Sequence, residues 1–442
     1  MLTLLQPRNG AVRLLAGVAA AGLTVTLGLL LTTESMGTLS APGGVATALG
    51  RLAGLVGTYL MLIAVVLVAR LPALERAIGQ DRLVRWHRRL APWPLSLIAA
   101  HGALITLGYA QAAQTGWLRQ LGVLLTSYSG VLAATVGFGL LSMAGVTSYR
   151  RARAKMRHET WWAVHLYVYL GLALSFSHQL STGAAFVAQP AARLWWISIW
   201  LATAGVVLVY RIGLPVWRSL YHRLRVVAVQ REGPGVVSLV LEGHRLDRLA
   251  VAGGQFLQWR FLRPGLWWQA HPYSLSALPT ASHLRVTVKD LGDHSGELAR
   301  VRAGTRVAIE GPYGAFTRHA RAGDAVLLVG AGVGVTPLRA LLEDLPAHVD
   351  VEVLLRASTE EELVLEHEVA RLVERRGGRL HRLVGPRSAV QLDRSALRRL
   401  VPDVAERDVY ICGPDGFSAA VERAARASGT PPARVHREAF AF

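Results

Sequence analysis

Six apolar runs, each close to the roughly 20 residues that a bilayer-spanning helix needs, lie in the first half of this 442-residue chain. They are Ala11–Leu31, Ala46–Val68, Leu90–Ala110, Leu121–Val146, Trp161–Leu180 and Ala191–Ile212. Pro92 and Pro94 stand near the start of the third run, where they are tolerable but bend the helix. The first run is long enough to span and lacks the small-residue cleavage pattern of a signal peptide, so a retained helix is expected. Up to Gly213 the chain is dominated by Ala, Leu, Val, Gly and Trp. Beyond Trp217 charged residues become frequent and the apolar runs shorten to strand length. A membrane half followed by a soluble half is the expected plan.

The loops orient the spans. Between the second and third lie Arg70, Arg76, Arg82, Arg85, Arg88 and Arg89 against Glu75 and Asp81. Between the fourth and fifth lie Arg150, Arg151, Arg153, Lys155 and Arg157, whereas the opposite loops offer little beyond Glu34, Arg119 and Arg193. The positive-inside rule therefore puts the N-terminus, both basic loops and the whole C-terminal half in the cytosol. The formal charge of +19 has the same origin. All but two of the 48 basic residues are arginine, many of them in these loops, and no aromatic–basic interleaving in the soluble half suggests base stacking. Nucleic acid is not an expected partner; membrane lipid is.

Histidine inside an apolar span is costly and calls for an explanation. The third span carries His87 and His101, 14 residues apart, and the fifth carries His165 and His178, 13 apart. At 1.5 Å per residue each pair is separated by about 20 Å along its helix. Both spans follow a cytosolic loop and run in the same direction. His87 and His165 therefore lie near the cytosolic side, and His101 and His178 nearer the outside. Two cross-helix pairs at two depths suit two bis-imidazole haems stacked across the membrane. Fourteen residues return to within about 40° of one helix face but 13 miss by about 140°, so the fifth span is expected to distort, with Gly171 a plausible place. Cys412 is the only cysteine, which excludes an internal disulfide, a zinc ribbon and an iron–sulfur cluster held by this chain alone.

From Val226 to about Thr317 short strands alternate with turn signals, as in a small antiparallel barrel. The strands are expected at Val236–Leu241, Gln255–Phe261, Leu284–Lys289 and Arg306–Glu310. His271, Pro272, Tyr273, Ser274 and Ser276 place an aromatic ring and two hydroxyls on one extended stretch, suited to covering a flavin and bonding its polar edge. Gly311, Tyr313 and Gly314 form a Gly-Pro-Tyr-Gly turn that allows close backbone approach, and Lys289 completes the cofactor-binding candidates of this region.

From Asp324 strand and helix alternate, as in a parallel α/β sheet. The strand Ala325–Val329 runs into a turn containing Gly330, Gly332, Gly334, Thr336 and Pro337, with Thr336 expected as N-cap and Pro337 as the first helical residue. Such a turn is a ready pyrophosphate site. After the next strand, Val351–Leu355, comes Arg356, where an NAD-specific fold carries a carboxylate. A guanidinium there suits a 2′-phosphate, which favours NADPH and leaves NADH possible. Ser358 and Glu361 form a capping box, and Glu360 and Glu361 would repel that phosphate if they turned inward. The strand Asp408–Ile411 delivers Cys412, Gly413 and Pro414 to the carboxyl edge of the sheet, where ligands bind. A final strand from Val435 would carry Phe442 back over the barrel domain.

Together these residues resemble the ferric reductase and NADPH oxidase superfamily, whose cytosolic half is similar to ferredoxin–NADP reductases. The resemblance covers nearly the whole chain and rests on five features in the family's order: the 14- and 13-residue histidine spacings, His-Pro-Tyr-Ser, Gly-Pro-Tyr-Gly, the Gly-Ala-Gly-Val-Gly-Val-Thr-Pro turn, and Cys-Gly-Pro. It implies a six-helix transmembrane bundle with two haems b over 1–216, an antiparallel β-barrel FAD domain over 217–322 and a parallel α/β NAD(P)H domain over 323–442. It further implies FAD at Tyr273 and Ser274 with His271 on its phosphate–ribityl side, and a dinucleotide over Gly332, Gly334 and Thr336. Cys412 would then stand near the nicotinamide, with Phe442 over the flavin. The activity implied is electron transfer from cytosolic NAD(P)H to an acceptor outside, in a bacterial plasma membrane.

The acceptor stays open between ferric chelate and oxygen. Oxygen-reducing members often place a second His one turn beyond the outer ligand; Ile105 stands there, which leans toward ferric chelate. Arg51, near the outer end of the second span, suits an acceptor, a haem propionate or a simple interfacial anchor. An alternative is an electron-donating subunit serving a periplasmic redox protein, but the outer loops are short and mostly apolar, so no obligatory protein partner is expected.

Overall fold

The computed structural model describes residues 6–31, 35–153, 156, 158–386, 388 and 390–438; Glu34, Lys155, Arg157 and Phe442 lie outside them. The chain divides into two compact units, 1–211 and 212–442.

The first unit is helical. Among the described residues five helices are long and apolar enough to cross a membrane: Val12–Leu29, Gly44–Leu67, Arg82–Ala112, Val131–Ser148 and Pro190–His222. The helix His158–Thr182 has the length but not the hydropathy, because it carries His165 and His178 together with several Trp and Tyr. The fourth run is not one helix. It breaks at Tyr128–Gly130 into Trp117–Ser127 and Val131–Ser148, with Gly130 at φ 77. A side chain at Gly130 would also stand 2.9 Å from the His178 backbone nitrogen, so the turn needs glycine twice over. Gly44–Leu67 packs along Pro92–Ala112, and Val131–Ser148 along His158–Thr182. In the second pair Gly137 and Gly171 face each other so closely that a Cβ on either would fall within 3 Å of the other's carbonyl oxygen. Gly171 is thus a point of helix contact, and His158–Thr182 runs unbroken through it. The interruption lies in the third span instead, where Gln80–Leu90 gives way to Pro92–Ala112 at Ala91.

The second unit holds three sheets. Strands β1 (Arg225–Gly233), β2 (Val236–Glu242) and β5 (His283–Lys289) form one antiparallel sheet. Strands β3 (Phe256–Phe261), β4 (His271–Ser274) and β6 (Val307–Tyr313) form another, in the order β4-β3-β6. Two isolated bridges, Arg225–Arg306 and Leu275–Val286, join their edges around a core of Leu239, Leu257, Trp259 and Val286. The two three-stranded sheets thus meet along both seams, β5 beside the end of β4 and β1 beside the start of β6. The Gly311–Tyr313 segment is the end of β6 and not a free turn.

The remaining strands, β7 (Ala325–Ala331), β8 (Asp350–Ala357), β9 (Arg379–Val384), β10 (Asp408–Cys412) and β11 (Val435–Glu438), make one parallel sheet in the order β11-β10-β7-β8-β9. Its central strands β7, β8 and β10 are almost wholly buried, as a parallel sheet covered by helices on both faces requires. Ion pairs tie it to the antiparallel sheets: Arg285 on β5 meets Glu368 at 2.6 Å, and Glu343 and Asp344 accept the backbone N–H groups of Leu278 and Gly253.

Arg407, 2 % exposed, anchors the parallel sheet. It bonds Asp350 at 2.7 Å, Glu352 at 3.1 Å and Asp403 through Nε at 2.9 Å. Arg407→Ala removes one of three cationic partners from the buried Glu352 and leaves Arg379 and His381, so a loss of about 1.5–3 kcal/mol of unit stability is expected by urea unfolding. A loss under 1 kcal/mol, roughly that of an exposed ion pair, would show that the pairs are solvated. Burial pushes the Glu352 carboxyl up, but Arg379, His381 and Arg407 together outweigh it and hold its pKa below the ordinary value. A lowered carboxylate pKa contributes stability above its unfolded value of about 4.3, lost as pH falls through the folded value. The same experiment should therefore show acid weakening wild type below about pH 4.

Candidate functional site

The first unit brings the four intramembrane histidines together in two pairs. The ring centroids of His87 and His165 are 6.3 Å apart, and those of His101 and His178 are 6.4 Å apart. Nitrogen–metal bonds of about 2 Å on each side, plus the two ring radii, put centroids about 6 Å apart when one metal ion lies between two imidazoles. Each pair therefore has the spacing of two axial ligands. His87 Nδ1 lies 2.9 Å from the Ala64 carbonyl oxygen and His101 Nδ1 2.8 Å from that of Gly50. A carbonyl accepts only, so both rings carry their proton on Nδ1 and keep Nε2 free for a metal. A β-carbon at Gly54 would stand 2.6 Å from His101 Nδ1, so the glycine makes room for that ring. Each histidine of the third span meets its partner although 13 and 14 residues differ by a full 100° of helix phase.

A cavity of about 460 Å³ opens beside His101 and His178 and is lined also by Arg51, Ile105, Thr135 and Phe138, among others. Arg51 and the apolar Ile105 thus share one cavity with His101 and His178.

In the second unit His271-Pro-Tyr-Ser forms β4. Tyr273 is held on both sides: Trp259 Nε1 donates to its carbonyl at 2.9 Å, and its ring stacks at 19° on His271, with centroids 6.0 Å apart. Burial pushes the Tyr273 phenol up, so it is a proton donor at any physiological pH. The Ser274 hydroxyl is buried with no hydrogen-bond partner. Gln269 Nε2, two residues before β4, is likewise buried without a partner, while its Oε1 lies 3.1 Å from His271 Nε2. Orphaned polar atoms are costly, and among the described residues these two, one on β4 and one just before it, fit a polar ligand edge. Ser276, by contrast, already accepts Arg285 Nε at 3.0 Å.

Gly311 sits at φ 121, and its carbonyl accepts Arg218 Nη1. The Ser219 hydroxyl takes the Ile309 N–H at 3.1 Å. Sequence reasoning missed Gln269, Arg218 and Ser219; only the fold brings the last two, about ninety residues away in sequence, against β6. A smaller cavity of about 230 Å³ lies between the β1–β2 turn and Ser295, with Arg231, Gly235 and Asp290 on its walls. Lys289 ends β5 beside it, paired in register with Val236.

The parallel sheet reverses its strand order between β7 and β10, and the glycine turn and Cys412-Gly413-Pro414 leave that switch point side by side. Contact is backbone to backbone, since a β-carbon at Gly334 would lie 2.3 Å from the Cys412 carbonyl oxygen. Gly332, at φ 55, has nothing within 4 Å of such an atom and faces open space. The helix begins earlier than expected: Gly332–Gly334 is a 3₁₀ turn and Val335–Asp344 the α-helix. Thr336 is therefore inside the helix, its hydroxyl donating to the Val333 carbonyl at 2.6 Å, and is not the N-cap. Pro337 falls in the first turn, two residues after its start.

Cys412 is fully buried, and burial pushes its thiol well up, so it is neutral and carries no thiolate chemistry at physiological pH. Arg356 is 8 % exposed, with Nη1 on the Ala357 carbonyl and Nη2 buried without a partner. Glu360 is drawn off by Arg382, and the expected Ser358–Glu361 box is replaced by a Ser358 N–H to Glu362 bond of 3.0 Å.

Residues 53–176 match the family model of the ferric reductase like transmembrane component, and residues 223–317 match that of an FAD-binding domain. A Mycobacterium tuberculosis NADPH oxidoreductase is 29 % identical over 51 % of this chain and 62 % of its own length. The ferredoxin reductase component of a Mycolicibacterium smegmatis 3-ketosteroid-9-alpha-monooxygenase is 32 % identical over 49 % and 65 %. Respiratory burst oxidase homolog protein F of Arabidopsis thaliana is 26 % identical over 42 % and 21 %. In each case the chain spans less than two thirds of the relative. Among solved structures, the flavohaem-like FAD/NAD-binding domain of a Vibrio cholerae nitric oxide dioxygenase aligns with a TM-score of 0.43 at 28 % identity, covering 49 % of this chain and 98 % of that one. A region similar to the ferric reductase like transmembrane component ahead of one similar to an FAD-binding domain, with a respiratory burst oxidase among the relatives, indicates a membrane protein and matches the pattern of the ferric reductase/NADPH oxidase superfamily.

Proposed function

We propose that the chain is an NAD(P)H-dependent transmembrane reductase that passes electrons from cytosolic NAD(P)H, through FAD and two b-type haems, to ferric chelate or molecular oxygen on the outer side of a bacterial plasma membrane. The observation that carries this reading is the pair of histidine sites: two axial-ligand spacings, each with its third-span ring fixed by a backbone carbonyl so that Nε2 is free. His87 and His165 would hold the cytosolic haem, His101 and His178 the outer one. Bound FAD supplies the conversion of a two-electron hydride into the single electrons that haem iron takes.

The chain's own residues prepare these transfers. Tyr273 and Ser274 present a ring and an unpaired hydroxyl to the flavin, and Arg218 holds the Gly311 carbonyl in place behind it. The N-terminal turn of Val335–Asp344 offers backbone N–H groups to the dinucleotide pyrophosphate, with Gly332 leaving the approach open. The division into membrane, flavin and dinucleotide parts at about 216 and 322 follows from these assignments. At the outer end, the cavity that joins Arg51 to His101 and His178 is the place for a small acceptor; its Ile105 wall favours ferric chelate.

Purified protein supplied with FAD and NADPH tests this directly. The flavin band should bleach, the haem Soret band should shift, and added ferric chelate or oxygen should reverse the shift. Flavin bleaching with a Soret band that never responds would overturn the reading.

The buried guanidinium of Arg356, with one nitrogen unpaired, supports NADPH as the donor. Charge-assisted hydrogen bonds contribute about 1.5–3 kcal/mol, so Arg356→Ala should raise KM for NADPH about ten- to a hundredfold and KM for NADH far less. An equal rise for both would remove Arg356 from the 2′-phosphate site.

A further inference from the structure

Ser148 closes the helix Val131–Ser148 and stands beside His165. A hydroxyl has one proton and two lone pairs, and here all three are engaged. Oγ donates to the Ala144 carbonyl at 2.6 Å, accepts Trp161 Nε1–H at 3.0 Å and lies 3.4 Å from His165 Nδ1. Because the only proton goes to Ala144, the side facing His165 can only accept. His165 therefore carries its own proton on Nδ1, and Nε2 is free for a metal.

Trp161 precedes His165 by one helical turn and stacks on it, with centroids 5.2 Å apart and ring planes at 24°. Arg153, from the basic segment between the spans, places its guanidinium 4.8 Å from the indole centroid and anchors Nη1 on the Met156 carbonyl at 3.1 Å. Membrane orientation accounts for a positive charge in that segment but not for a stacked, hydrogen-bonded chain of three side chains ending on a ligand. The other three histidines have no such support: His87 and His101 use backbone carbonyls, and His178 Nδ1 is buried with no hydrogen bond of ordinary geometry.

We propose that Ser148, Trp161 and Arg153 are positioning residues that set the tautomer and basicity of His165, and thereby the reduction potential of the haem held by His87 and His165. The proposal rests on the haem reading above. An acceptor on Nδ1–H makes an imidazole a stronger ligand to ferric iron, and removing the acceptor weakens that preference. The potential of this one haem should then rise while the other stays put.

The test uses full-length holoprotein, with haem stoichiometry measured by pyridine haemochrome, both potentials by redox titration, and both low-spin signals by electron paramagnetic resonance. Ser148→Ala should keep two haems and shift one potential upward; Ser148→Thr, which keeps the hydroxyl, should restore it. Trp161→Phe should move the signal of the same haem, and Trp161→Leu should lower its occupancy. Two haems in wild type with unchanged potentials and signals in Ser148→Ala and Trp161→Leu would overturn the proposal alone, as would a Ser148→Thr protein that behaves like Ser148→Ala. A wild-type protein without two haems overturns the functional reading, and the proposal with it.

Discussion

His101→Leu is expected to leave one haem per chain instead of two, while NAD(P)H continues to reduce the flavin. His101 holds its ring by one hydrogen bond to the Gly50 carbonyl and faces His178 across 6.4 Å. Leucine fills a similar volume without a nitrogen, so the outer ligand pair is lost and the helix packing survives. His87→Leu should act differently. Electrons would no longer enter the haem chain, so NAD(P)H would leave the Soret band unmoved even though a small chemical reductant still reduces the remaining haem. Haem content by pyridine haemochrome and difference spectra after each reductant separate the two outcomes. Either variant with two haems and wild-type spectra would show that the ligands lie elsewhere.

Gly334→Val should abolish flavin reduction by NADPH by deforming the dinucleotide edge of the sheet. Its Cβ would overlap the Cys412 carbonyl oxygen at 2.3 Å, and backbone cannot yield as a flexible side chain does. The helix Val335–Asp344 would have to lift from β10, at a cost of about 1–3 kcal/mol or more. Gly332→Ala is the contrasting variant. It meets no atom and costs about 1–2 kcal/mol for the left-handed backbone, so the fold should persist. Its new methyl group points into the space left for a ligand, and KM for the dinucleotide should rise with little change in melting temperature. A Gly334→Val protein that melts and turns over like wild type would contradict the close approach of β7 and β10.

Much of this was readable beforehand where a local pattern has only one structural outcome. The strands expected at Val236–Leu241, Gln255–Phe261, Ala325–Val329 and Asp408–Ile411 formed within two residues of their limits, because buried β-branched runs between turn residues have few alternatives. The helix His158–Thr182 was legible from the apolar run Trp161–Leu180 although its histidines lower its hydropathy. The break at Tyr128–Gly130 was not, since an apolar run does not reveal where a neighbouring backbone demands a turn. Nor could spacing alone decide where the phase difference is absorbed: Gly171 was a reasonable site by residue type, but the helix runs unbroken past its contact with Gly137, and the helix boundary lies at Ala91 in the other span.

The sequence by itself determined most elements, the two histidine-bearing spans, the glycine turn and the family resemblance, because periodicity, residue cost in lipid and motif order are all local properties of the chain. The sequence also paired His87 with His165 and His101 with His178; tertiary structure alone decided that His87 and His101 take their protons' acceptors from the neighbouring helix Gly44–Leu67. It also decided that, among the described residues, Ser274 and Gln269 carry unpaired polar atoms, that Cys412 is a buried neutral thiol, and that Arg218 reaches Gly311. Those facts depend on which backbones approach within about 3 Å of one another, the range of a hydrogen bond. Nothing short of the packed fold sets a distance that short between residues so far apart in the chain.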